Sequence, residues 1–123
     1  ADGLNALYAR TVDAYWGDTV ERDERTAWTW ARIPHFFQAP YYVYQYATCM
    51  ASTAALMEAV GSADPVRRDD GVRRYLDLLR AGGSDHPMAL LKRAGVDLAQ
   101  PTAIRALVAR LDRLVGELET ALG

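Results

Sequence analysis

The sequence has little of what most chemistries need. A single cysteine, Cys49, excludes an internal disulfide and says little about redox compartment. The two histidines, His35 and His86, each lack a second histidine or cysteine at metal-ligand spacing. H-E-x-x-H, a G-x-S-x-G elbow and a phosphate-binding glycine loop are all absent. No apolar run approaches the about 18 residues of a membrane-spanning helix, so no membrane span is expected. The N-terminus has no secretory n-region or h-region. Net charge is −2, and no block of lysine and arginine marks a nucleic-acid face. The Arg67-Arg68 and Arg73-Arg74 pairs alternate with Asp69, Asp70 and Asp77, the pattern of a solvated helix face.

What is present is helical sequence. At 123 residues, half of them hydrophobic, the chain has room for one packed domain over 1–123, or a piece of a larger one. It opens Ala-Asp-Gly-Leu without a methionine, which predicts a segment cut from a longer chain. Leu4, Leu7, Tyr8, Val12, Tyr15 and Trp16 predict a helix over about 4–15, stopped by Gly17-Asp18. Asp18 or Asp23 caps the next, which ends near Ile33 because Pro34 disfavours a helical residue before it. Pro34 to Ala39 reads as a connector carrying His35. Pro40 fits the first turn of a central helix that runs to about Val60, with small residues in its second half for close helix approach. Asp64-Pro65 starts another helix, whose middle Gly71 weakens by about 1 kcal/mol and where the helix is expected to break or restart. Val72, Tyr75, Leu76 and Leu79 are its apolar stripe. Ser84 caps a short helix holding Met88, Leu90 and Leu91. Pro101 opens the last, with Ile104, Leu107, Val108, Leu111, Leu114, Val115, Leu118 and Leu122 as a clean amphipathic pattern. No segment alternates with period two, so the fold class is all-α, a bundle of five to six helices.

One stretch stands apart. Trp30 to Met50 crowds Phe36, Phe37, Tyr41, Tyr42, Tyr44 and Tyr46 around His35, with Pro34 and Pro40 on either side. Aromatic side chains with polar tips suit either a specialised core or a recognition surface. On a helix begun at Pro40, Tyr41 and Tyr44 share a side with Gln45, Thr48 and Ser52. Tyr42 and Tyr46 flank the core side formed by Val43, Ala47, Met50 and Ala54. Hydrogen-bonded buried tyrosines and a binding face are both compatible with that arrangement. Cys49 reads as a small core residue and His86 as solvent-exposed.

The wording of this stretch resembles a known family. Trp30-Ala-Arg-Ile-Pro-His-Phe-Phe and Ala39-Pro-Tyr-Tyr-Val-Tyr-Gln-Tyr-Ala-Thr are similar to the C-terminal part of oligoendopeptidase F, among the thimet-oligopeptidase-like zinc metallopeptidases. Tyr15-Trp-Gly-Asp, Tyr75-Leu-Asp-Leu-Leu-Arg-Ala-Gly-Gly-Ser-Asp-His-Pro and Leu90-Leu-Lys-Arg-Ala-Gly-Val-Asp follow the same family in order. The resemblance implies a mainly helical peptidase that hydrolyses short peptides in a deep channel. Its zinc is held by an H-E-x-x-H helix and a downstream glutamate, all N-terminal to the segment present here. It also implies that His35, Tyr41 and Tyr44 face the metal, binding substrate backbone and stabilising the tetrahedral intermediate, with Tyr42 a weaker candidate and Tyr46 in the core. The nine residues from His35 to Tyr44 match the thimet branch.

The departure is large, because the zinc ligands and the general-base glutamate are not in this chain. Nothing here activates water, so the isolated polypeptide is expected to be inactive. The implied partners are short peptides and the missing N-terminal part of the enzyme, and the implied location is cytoplasmic. A detached segment is also expected to expose apolar surface around Trp28 to Tyr44, as a homodimer interface or a sticky patch. The rival reading is a stand-alone helical module that grips a peptide or partner helix without catalysis.

Overall fold

A computed structural model describes all 123 residues. The fold is all-α, with six α-helices, one 3-10 helix and no strand. The chain forms two compact units, residues 1–43 and 44–123.

In the first unit, α1 spans Asp2–Trp16. Gly17, at φ 57°, turns the chain out of the helix and donates its N–H to the Asp13 carbonyl at 2.9 Å. Glycine carries no Cβ to oppose that conformation. Arg22 ties the following loop back, bridging Asp13 at 2.7 Å and the Gly17 carbonyl at 3.0 Å. Asp23, of the two candidate caps, is the one used: its carboxylate accepts the Arg25 N–H at 2.8 Å. The segment it caps, Glu24–Arg32, winds as a 3-10 helix. It ends at Ile33, extended before Pro34. The expected connector contains one helical turn, α2, His35–Gln38, so His35 sits at a helix start rather than in a loop.

The second unit begins with α3, Tyr44–Val60. Then come α4 (Pro65–Ala81), α5 (Pro87–Arg93) and α6 (Thr102–Leu122). Asp64 caps α4 as its sequence predicts, accepting the Val66 N–H at 3.0 Å, with Pro65 in the first turn. Ser84 does not cap α5. Instead Asp85 accepts the His86 N–H and an Arg93 guanidinium, each at 2.7 Å. The helix α3 packs on both α4 and α6, and α4 meets α5.

Small residues make these contacts. Ala51, Val96 and Ala103 form the buried centre, with Ala55, Leu56, Leu91, Leu98 and Leu107 packed around it. Gly71 corrects its sequence reading: α4 is continuous through it, and it is buried where α4 crosses α3. A Cβ there would stand 2.8 Å from the Ala59 carbonyl carbon. The stripes read from periodicity are corrected too. Val72, Leu76 and Leu79 of α4 are exposed, as are all the large apolar residues of α6 except Leu107. Where α3 crosses α4 and α6, the closest residues are glycine and alanine, Gly71 on Ala59 and Ala51 with Ala103.

Candidate functional site

The aromatic stretch is organised by a turn. The Tyr42 N–H reaches the Ala39 carbonyl at 3.1 Å, closing a four-residue turn with Pro40 second and Tyr41 third. Proline presets the backbone for the second position, while the third, in a type II turn, takes positive φ. Tyr41 has φ 63°, the only non-glycine residue in that region. A bulky residue held there stores about 1–3 kcal/mol of strain, which persists only where the surroundings fix it.

The turn corrects the sequence reading of a helix begun at Pro40. Tyr41 and Tyr42 precede α3, so they share no helix face with Tyr44 and Tyr46. Tyr41 is 88% exposed. Tyr46, assigned to the core, is 53% exposed; Ala47 and Met50 of the expected core side are exposed as well, and so is Cys49, read as a small core residue. Ala54 of the expected core side is buried, and it is joined by Ala51 and by Ser52, which the wheel placed on the polar side; the Ser52 hydroxyl donates to the Thr48 carbonyl at 2.8 Å.

The chain reversal brings His35 and Tyr42 together. Their rings stack with centroids 5.2 Å apart and planes 9° from parallel. His35 is half-buried, at the start of a helical turn closed by the Ala39 N–H on the His35 carbonyl at 3.1 Å. The helical turn fixes the His35 backbone, and the imidazole lies flat against a phenol ring. Tyr44 opens α3, in the second unit, with its side chain exposed.

Behind this turn lies a feature the sequence did not disclose. The Trp30 indole N–H donates to Asn5 Oδ1 of α1 at 2.8 Å, and the Trp30 ring meets Phe37 at 6.0 Å, tilted by 35°. These contacts fasten α2 and the 3-10 helix to α1. Leu4, Leu7, Tyr8, Thr11, Trp30, Phe36 and Phe37 line an open apolar groove of about 380 Å³. The one available signal was Asn5, a short polar residue between the apolar Leu4 and Leu7 of the first turns.

Three ion-paired carboxyls elsewhere lie below their ordinary pKa. Hydrogen bonds from Arg25 hold Asp23 below the usual carboxylate range. Arg93 does the same for Asp85, and Lys92 for Asp97. No group of three or more His, Cys, Asp or Glu side chains lies close enough to hold a metal ion. No helix is long and apolar enough to cross a membrane.

An all-α chain with a proline-flanked histidine stacked on a tyrosine-rich turn matches one family. The model of peptidase family M3 covers residues 1–109, and the chain belongs to that family. Among named relatives it is 38% identical over 119 residues to oligopeptidase PepF of Bacillus subtilis, covering 97% of this chain and 17% of the relative. It is 37% identical over 116 residues to group B oligopeptidase PepB of Streptococcus agalactiae, covering 94% and 18%. With plasmid-encoded oligoendopeptidase F of Lactococcus lactis subsp. cremoris it shares 34% identity over 116 residues, again 94% and 18%. The chain thus spans less than a fifth of the length of these relatives. No solved structure gives a significant match.

Proposed function

We propose that this chain is the substrate-facing C-terminal part of a zinc oligopeptidase acting on short peptides, with His35, Tyr41, Tyr42 and Tyr44 as its contacts to the peptide. The observation that carries the reading is the His35–Tyr42 stack on a strained proline turn, in a chain of the peptidase family. Strain held at one residue and an imidazole stacked on a phenol ring are features of a site that must be aimed.

The chemistry asks for donors. When the amide of a substrate is attacked, negative charge grows on its carbonyl oxygen. A tyrosine hydroxyl is protonated at neutral pH and donates its O–H to that oxygen. A fixed donor at such a position is worth about 3–4 kcal/mol in the transition state. Tyr44 and Tyr41 are exposed and carry hydroxyls suited to this. His35 donates a ring N–H to the same oxygen or to a neighbouring substrate carbonyl, and Tyr42 keeps the imidazole in plane.

The residues of this chain do not fit a zinc centre, because they form no cluster able to hold a metal ion. In this reading the zinc ligands and the group that activates water belong to the rest of the peptidase, and the chain by itself does not hydrolyse peptides. The test is steady-state hydrolysis of a short quenched peptide by the complete enzyme. Tyr44→Phe is expected to lower kcat by about 10²–10³-fold with little change in KM. His35→Ala is expected to lower it as well. Unchanged kcat in both variants refutes the donor roles.

A further inference from the structure

His35 sits on a helix too short to hold itself. The four residues of α2 make one turn, and the first turn of a helix is unfavourable to form by itself. Its position is therefore set by what it leans on. His35 and Phe37 are two positions apart, about 200° round the turn, so they point to opposite sides. Phe37 meets the Trp30 ring at 6.0 Å, while His35 stacks on Tyr42. A second route runs through the backbone. The Ile33 N–H donates to the Trp30 carbonyl at 3.1 Å, and the Phe36 N–H to the Ile33 carbonyl at 3.2 Å. Both routes start at Trp30. That residue lies on a 3-10 helix of nine residues, well past the roughly three to four that such helices usually sustain, so its own footing needs support. Ring contacts slide at little cost. The bond from the Trp30 indole N–H to Asn5 Oδ1, 2.8 Å between two half-buried side chains, has one direction.

We propose that Asn5 is a positioning residue for His35, acting through Trp30 and Phe37. This role rests on the proposed donor function of His35 and deepens it. With Asn5 Oδ1 as acceptor, the indole ring keeps one orientation, Phe37 packs on a fixed plane, and α2 presents His35 at one distance from the peptide. Without that acceptor the indole N–H turns to another partner, the ring tilts, and α2 follows it. A displacement of about 1 Å from a change far from the chemistry costs about 10²-fold in rate, and a smaller displacement costs less. The loss falls on kcat, because a donor to the developing oxyanion acts in the transition state. A residue that only fastened α1 to the 3-10 helix would change stability and leave the kcat of folded enzyme alone.

The test is steady-state hydrolysis of a quenched short peptide by the complete enzyme, with folding checked by circular dichroism. Asn5→Ala is expected to lower kcat about tenfold with KM little changed. Trp30→Phe, which keeps a ring and has no N–H, is expected to do the same, and the two together no more than either alone. Asn5→Asp keeps the acceptor oxygen and is expected to restore kcat. The sharpest comparison uses His35→Ala as background. Adding Asn5→Ala there should lower kcat no further, since the group it positions is gone. If Asn5→Ala fails to fold, Trp30→Phe is read against the same background. A loss that persists in full without His35 overturns the proposal, as does an Asn5→Asp enzyme no better than Asn5→Ala. Full kcat in Asn5→Ala, with kcat lowered in His35→Ala, overturns the positioning role and leaves the donor role standing. Unchanged kcat in His35→Ala refutes the donor role itself, and the positioning role with it.

Discussion

Gly71→Ala should destabilise the protein, against what helix propensity alone predicts. In an exposed helix interior the change gains about 1 kcal/mol, because glycine loses more backbone freedom on folding than alanine. At Gly71 the added Cβ meets Ala59 of α3, with its carbonyl carbon at 2.8 Å, its Cβ at 2.9 Å and its carbonyl oxygen at 3.0 Å. Two of those atoms are backbone, so no rotamer change relieves the contact, and α4 must move off α3. Overpacking of this kind costs about 1–3 kcal/mol, which exceeds the gain over most of its range. The net expectation is a loss of up to about 2 kcal/mol. Gly116→Ala in α6 is the control, since nothing lies within 4 Å of a Cβ there and only the gain of about 1 kcal/mol remains. Urea unfolding of both variants measures the difference, which is the overpacking cost alone, expected at about 1–3 kcal/mol. If Gly71→Ala stabilises as much as Gly116→Ala, the close α3–α4 crossing is wrong.

Three further expectations follow from single contacts. Tyr41→Gly removes the strain of a bulky residue at φ 63° and should stabilise the chain by about 1 kcal/mol in the same unfolding assay, whereas a loss would mean the phenol ring is held by packing. Asn5→Ala deprives the Trp30 indole N–H of its acceptor and should cost about 1–2 kcal/mol, together with a shift in tryptophan fluorescence. Asp23, Asp85 and Asp97 have folded-state pKa values below the ordinary aspartate value of about 4, so their stabilisation is complete above that value and is lost as pH falls through the depressed values. Urea midpoints should thus be flat near neutrality and fall between about pH 5 and pH 2, and replacing Arg93 by Met should reduce the acid-side slope.

Helix count and punctuation were legible because they rest on local chemistry: Asp64-Pro65 as a cap and first turn, Gly17 as a stop, Pro34 as a limit on Ile33. Pro40 was misread because proline serves equally at the start of a helix and in the second position of a turn. No local rule places a tyrosine at positive φ, where glycine is the ordinary choice. Buried faces were misread because periodicity shows which side of a helix is apolar, not which side meets a neighbour. In α4 and α6 the contact side is Gly71, or Ala103 and Ala106, and the longer side chains lie beside it. His35 and the tyrosines drew notice through their clustering and family wording. The His35–Tyr42 stack and the Trp30–Asn5 bond were hidden, since both depend on chain reversals that sequence spacing does not encode.

The central claim is that this chain supplies donors to a peptidase and not the group that activates water. Hydrolysis of a quenched short peptide, measured with zinc for the chain alone and again after recombination with the rest of the enzyme, tests it most directly. The account predicts no turnover by the chain alone and turnover on recombination, lost when Tyr44→Phe and His35→Ala are combined. Turnover by the isolated chain would contradict it.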